Sequence, residues 1–246
     1  MKIILTNDDG IDAEGIKALA TELRKKHDVW VIAPDRERSG ASHSVNLRDP
    51  GRIMERADRE YSCSGSPADC VMLAYLGFLD FRPDIVVSGI NRGPNLGTDI
   101  LYSGTCAAAR QAALYAIPGI AVSCASRHGP FLYAAAADFV ARNLEALAGH
   151  CSENAFINVN APSSDELNLE GRWTEPSRRH YHDSVRPFKA PDGGVYCFVE
   201  SGPTETIGGE SSDESVVGKG LVAVSSILVH PQISAEMQPG KAFSSR

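Results

Sequence analysis

The sequence contains no run approaching the ~18 consecutive apolar residues of a membrane-spanning helix, because its longest apolar stretches are broken by Asp, Arg or Gly. It has no C-x-x-C pair, and no Cys or His stands at ligand spacing from another apart from His180 and His182, which argues against a zinc centre. No Gly-Lys-Ser/Thr ending makes a Walker A loop, and no G-x-G-x-x-G follows the first strand, so neither a P-loop nor a dinucleotide fingerprint is present. Positive charge is in deficit: 24 Lys and Arg against 31 Asp and Glu leave a net −7, and nothing in that total favours nucleic acid or an anionic membrane as partner. The opening MKIILTNDDG lacks an apolar signal core and a small-residue cleavage site, so the chain is expected to begin as folded structure and to reside in the cytoplasm.

What is present is ordinary in amount. The 246 residues suffice for one large domain or two small ones, and 43% hydrophobic with 22% charged residues matches a globular protein. A chain this long buries enough surface to need no disulfide staple. Its six cysteines (Cys63, Cys70, Cys106, Cys124, Cys151 and Cys197) are scattered, and are expected to be mostly buried thiols acting as small hydrophobes.

Along the first 160 residues strands and helices alternate. Apolar runs at 2–6, 29–33, 84–88, 120–123 and 156–160 read as strands, and apolar residues at helical spacing mark helices over 15–27, 105–116 and 132–147. A further helix is expected near Pro67, with Ser66 as N-cap and proline at the first helical position. The stretch before Cys63 is irregular and hairpin-like. Apolar strands alternating with helices imply a parallel sheet covered on both faces, whose ligands lie at the carboxyl ends of the strands. From about residue 161 Pro, Gly and Ser become frequent, and strands are expected at 195–200 and 221–228. The expected organisation is one domain over 1–246, an α/β core at 1–160 followed by a β-rich extension at 161–246.

Three loops at the strand ends carry the unusual sequence. Asp8 and Asp9 leave the first strand and precede Gly10, which permits a turn. Neighbouring residues leaving a strand point to opposite sides, so the two carboxylates converge only if the backbone turns there. Two close carboxylates repel, and oxygen ligands without His or Cys suit Mg²⁺ or Mn²⁺; a turn with a helix-capping Asp is the plainer alternative. In PDRERSGASHS, Ser39 offers a neutral oxygen, and the small residues around it form a candidate anion nest. His43 there reads as a donor to a leaving oxygen or, more simply, as a surface imidazole. In SGINRGPNLGTDILYSGT, Asn91 and Asn95 lie between glycines, and Ser103, Gly104 and Thr105 open a helix whose N-terminus attracts an anion. Together the loops describe a metal-dependent phosphoryl site.

The strings NDDG, PDRERSGAS, SGIN, PNLG and YSGT, with SRRHY in the tail, resemble the SurE family of nucleoside monophosphate phosphatases over nearly the whole chain. The resemblance implies a Rossmann-like three-layer α/β/α core with a mainly parallel sheet, and a β-rich C-terminal arm exchanged in a homodimer or homotetramer. It further implies one divalent ion held by Asp8, Asp9, Ser39 and Asn91, with phosphate near Asn95, Ser103, Gly104 and Thr105. The implied activity is hydrolysis of nucleoside 5′-monophosphates, with 3′-monophosphates as a further candidate substrate and with Asp8 and Asp9 catalytic, through an activated water or, in the rival scheme, an aspartyl-phosphate. A non-catalytic phospho-ligand sensor on the same site is the alternative. IDAEGI stands where the family commonly reads HAPGI, which adds Asp12 and Glu14 beside the metal seat and bears on substrate preference.

Overall fold

Strand β1 (Lys2–Thr6) is buried along its length except at Lys2, and its side chains alternate between two cores. Ile3 and Leu5 face one side of the sheet while Ile4 faces the other, as the two-residue period of a strand requires. The computed structural model describes residues 1–232. Around β1 the sheet adds β2 (Asp28–Pro34), β3 (Ile53–Ala57), β4 (Glu60–Cys63), β5 (Ile85–Arg92), β6 (Gly119–Cys124), β7 (Ala155–Ala161), β8 (Gly171–Trp173) and β13 (Val222–Leu228). Their order is β3-β4-β2-β1-β5-β6-β7-β13-β8. The pairs from β4 through β7 are parallel, while β3 and β13 run antiparallel to β4 and β7.

Helices cover both faces. Helices α1 (Glu14–Leu23) and α4 (Ala134–Gly149) set Ile16, Leu19, Val140 and Leu144 against Leu5, Val31, Val87 and Ile120. On the opposite face α2 (Pro67–Leu73) and α3 (Gly104–Leu114) set Cys70, Val71, Ala108 and Ala112 against Ile4, Ile32 and Val86. Helix α2 begins as its sequence signals: Pro67 is the first residue and Ser66 caps it, with Asp69 returning the bond in a capping box. The six cysteines are free thiols, four of them buried, with Cys151 half-buried and Cys197 exposed.

Two departures from the sequence pattern affect the site. From sequence the third loop begins at Gly89, yet β5 continues to Arg92 through an irregular register between Ser88 and Asn91. Asn91 is therefore held opposite Ser123 on a strand instead of in a free loop. The second departure concerns residues 161–246, whose last part, 233–246, lies outside the described residues. Within that segment β8 and β13 rejoin the central sheet. The parts lying off the sheet are the pair β9 (Arg178–Tyr181) with β12 (Thr204–Ile207), the hairpin of β10 (Ser184–Lys189) with β11 (Val195–Glu200), and the short helix α5 (Asp213–Gly218). The hairpin exposes Val185, Phe188, Tyr196, Phe198 and Val199.

Candidate active site

The chain leaves β1 toward β2 on one side and later adds β5 on the other, so the sheet order reverses between β1 and β5. In an open α/β sheet the crevice at such a reversal is where ligands bind. Asp8 and Asp9 follow β1 here, and Asn91 ends β5 beside them. The turn is closed by Asn7, whose Nδ2 donates to Gly10 O at 2.8 Å while its Oδ1 accepts from Gly10 N at 3.2 Å. Gly10 sits at φ 101°, a conformation that strains any residue with a side chain.

Asp8 is buried and aimed at the start of α3. Thr105 donates to it twice, from Oγ1 to Oδ1 at 2.5 Å and from its backbone N to Oδ2 at 3.1 Å. The approach depends on Gly104, since a methyl group there would lie 2.9 Å from Asp8 Cβ and 3.0 Å from its Oδ2. Burial raises the Asp8 pKa, and the bonds from Thr105 oppose the shift. Asp9 accepts from the backbone N of Arg92 at 2.8 Å. Its pKa is pushed up to about 6, first by burial and then by the charges of Asp8 and Glu37, against the Arg92 N–H.

Part of the phosphate set expected from sequence also contacts Asp8. The N-terminus of α3 meets the Asp8 carboxylate: Thr105 donates to it from both its hydroxyl and its backbone N, and Gly104 is packed against it. Thr105 and Gly104 thus orient Asp8. Asn95 and Ser103 do face open space: with Asp8, Ser39 and Asn91 they line a cavity of about 270 Å³, completed by Arg92, Asp99 and Tyr102. Ser103 caps α3 by accepting from Cys106 N, which leaves its O–H free to donate. Asp9 opens instead into a neighbouring cavity, and Arg92 lines both. His43 lines neither; its Nε2 is 2.8 Å from Gln111 Oε1, and burial lowers its pKa.

Asn95 is fixed by a buried polar network that composition did not single out. Its N donates to Asn160 Oδ1 at 2.8 Å and its Nδ2 to Ser123 Oγ at 2.9 Å, while Asn158 and Asn160 both donate to its carbonyl. The signal was in β7, where two asparagines alternate with apolar residues in a strand otherwise fit for burial. The short 3-10 helix Gly97–Leu101 is clamped from the far end of the chain. Asp213 accepts from Gly97 N at 2.7 Å and from Ser177 N at 2.9 Å. Arg179 pairs with Asp99 and, at 2.7 Å, with Glu214, and Tyr181 donates to Asp99.

Among the described residues no three His, Cys, Asp or Glu side chains gather as metal ligands. A cation here would be held by two carboxylates and neutral oxygens, and the donor set has the chemistry for it. Asn91 commits its Nδ2 to Gly93 O at 2.9 Å, leaving Oδ1 as an acceptor, and Ser39 Oγ donates to Glu37 and keeps its lone pairs. Two adjacent carboxylates with raised pKa values and hard neutral oxygens fit Mg²⁺ or Mn²⁺ and do not fit a soft metal.

The family described as Survival protein SurE matches residues 3–183. A protein named 5′-nucleotidase SurE from Kosmotoga olearia is 40% identical, covering 98% of this chain and 100% of its own. Another of that name from Anaeromyxobacter sp. is 42% identical over 97% of this chain and 94% of its own. The crystal structure of the SurE protein from Aquifex aeolicus superposes with a TM-score of 0.80 at 32% identity, over 94% of this chain and 95% of that one. With a family match over most of its length, and relatives and a solved structure that align nearly end to end, the chain belongs to the SurE family.

Proposed function

We propose that this chain is a 5′-nucleotidase that hydrolyses nucleoside monophosphates to nucleoside and phosphate with one divalent ion, Mg²⁺ or Mn²⁺, per subunit. The observation that carries the reading is the pair Asp8 and Asp9 at the sheet's switch point, beside a cavity lined by Ser39, Asn91, Asn95 and Ser103. The names of the full-length relatives supply the substrate class.

When bound, the cation supplies Lewis-acid stabilisation of the charged phosphoryl group and lowers the pKa of water. The residues of the chain hold and orient. Asp8 is locked by Thr105 and presents its remaining lone pairs to the cavity. Asp9, held by the Arg92 N–H, is the carboxylate with access to a proton acceptor's role, and it positions the attacking water or takes its proton. Ser39 Oγ and Asn91 Oδ1 complete the oxygen set. Asn95 Nδ2 has one N–H beyond that given to Ser123, and Ser103 has its hydroxyl proton; both are available to phosphate oxygens. The exposed apolar hairpin of β10 and β11 supports assembly into a homodimer or homotetramer through the C-terminal arm.

The test is phosphate release from a panel of 5′- and 3′-nucleoside monophosphates with each metal and with chelator. Release from 5′-monophosphates that chelator abolishes is expected. Tight nucleotide binding without release would instead make the protein a sensor.

A further inference from the structure

The cavity into which Asp9 opens has a volume of about 480 Å³, within the ~300–1,000 Å³ range of small-molecule sites. It adjoins the phosphate cavity, and Arg92 belongs to the wall of both. Its other walls differ in character. One is aromatic: Phe131 and Tyr133 lie where the chain enters α4, and the Arg92 guanidinium lies over the Phe131 ring at 4.8 Å from its centroid. The other is anionic, formed by Asp12, Glu14 and Glu37.

These walls suit the uncharged half of a nucleotide and repel further phosphate. A nucleobase stacks on an aromatic ring or on a guanidinium plane. Sugar hydroxyls and base amino groups donate to carboxylates, whereas a nucleoside triphosphate with its terminal phosphate in the phosphate cavity would bring its inner phosphates against the negative side chains here. We infer that this second cavity is the nucleoside subsite, with the base stacked on the Arg92–Phe131 platform and the sugar hydroxyls and base amino groups donating to the carboxylates of Asp12, Glu14 and Glu37. The inference rests on the phosphomonoesterase reading for where the phosphate lies.

The platform is tested with Phe131→Ala and Phe131→Trp in the full chain, comparing kcat/KM for AMP and GMP with that for ribose 5-phosphate, which has no base. In Phe131→Ala the ratio of nucleotide to ribose 5-phosphate falls about 5- to 100-fold, the loss that one base-stacking surface carries, and Phe131→Trp restores it. An unchanged ratio overturns the inference, whether the two activities fall together or neither falls. Equilibrium binding of adenosine and guanosine needs no turnover and separates the two readings. Nucleoside binding that weakens about 5- to 100-fold in Phe131→Ala supports the subsite even if no phosphate is released, in which case the phosphatase reading alone fails. A wild-type chain that binds neither nucleoside overturns the subsite.

Discussion

Replacing Gly104 with alanine tests whether the contact between α3 and Asp8 governs both stability and activity. The added methyl would stand 2.9 Å from Asp8 Cβ, 3.0 Å from Asp8 Oδ2 and 3.2 Å from Pro67 Cγ. Carbon atoms rest at roughly 3.5–4.0 Å, so Asp8 must withdraw by about 0.5–1 Å. The bond from Thr105 N, already 3.1 Å long, then passes the limit of a hydrogen bond. Overpacking of this kind costs about 1–3 kcal/mol, and the gain from removing a helical glycine offsets at most ~1 kcal/mol. A net loss of ~1–2 kcal/mol lowers Tm by roughly 2–8 °C in a chain of this size. Because a ~1 Å displacement of a reacting group is worth about 10²-fold in rate, turnover falls far more than stability does.

Thermal unfolding and phosphate release from AMP in Mg²⁺ or Mn²⁺ measure the two effects on the same preparation. Gly149→Ala is the matched control: it lies at the end of α4, and a methyl there meets nothing within 4 Å. That variant is expected to gain about 0.4–1 kcal/mol and to keep full activity. If Gly104→Ala retained wild-type Tm and turnover within about threefold, well short of the ~10²-fold loss, the placement of Asp8 against α3 would be wrong.

Asp8→Asn and Asp9→Asn each abolish phosphate release while circular dichroism stays native; near-normal turnover in either sinks the site assignment. In the metal-free chain, Asp9 has its pKa raised from 3.8 to about 6, so the folded state holds its proton more tightly than the unfolded state. That contribution to stability is full below pH 4 and is lost as pH rises toward 6, by up to ~3 kcal/mol, and urea titrations across this window read it directly. Saturating Mg²⁺ or Mn²⁺ should restore stability above pH 6, and equal melting curves with and without metal there would contradict the metal seat. Arg179→Ala leaves Asp99 and Glu214 without their partner, and its arginine side chain is only 3% exposed. Loss of about 3 kcal/mol is expected, read as a lower urea midpoint. Phe198→Asp on the exposed hairpin lowers the mass seen by analytical ultracentrifugation without lowering the Tm of the α/β core.

Much of the fold could be read because its signals are local. A strand run ended by Pro34, and a Ser66-Pro67 helix start, depend on residues within one turn of each other. The carboxylate pair of the proposed site was legible for the same reason, since Asp8 and Asp9 are adjacent and a glycine follows them. What escaped depends on contacts across long stretches of chain. Nothing near Thr105 announces that its hydroxyl and N–H are taken by Asp8, which lies 97 residues earlier. The return of β13 to the sheet is equally hidden, because an antiparallel partner for β7 is chosen by the sheet's open edge and not by the strand's own pattern. Asp213 and Arg179 look like surface charges in sequence and are buried in the structure.

The seating of Asp8 against the α3 N-terminus explains how two carboxylates can share one site in an already acidic chain. An isolated buried aspartate would keep its proton, and a protonated ligand is a poor one. Burial raises the Asp8 pKa, and the dipole end of α3 with the two bonds from Thr105 opposes that shift in favour of the ionised form. Asp9 has a single N–H from Arg92 and remains the more exposed of the two, and in the metal-free chain its pKa is pushed up to about 6. The two residues are neighbours in sequence, yet the elements they meet give Asp8 two donors from Thr105 and Asp9 one from Arg92. Exchanging their environments, by Thr105→Val, should therefore damage metal affinity more than it alters the pH profile, since the hydroxyl serves Asp8 alone. A Thr105→Val enzyme whose Mn²⁺ affinity is unchanged, but whose pH profile moves, would reverse that division of roles.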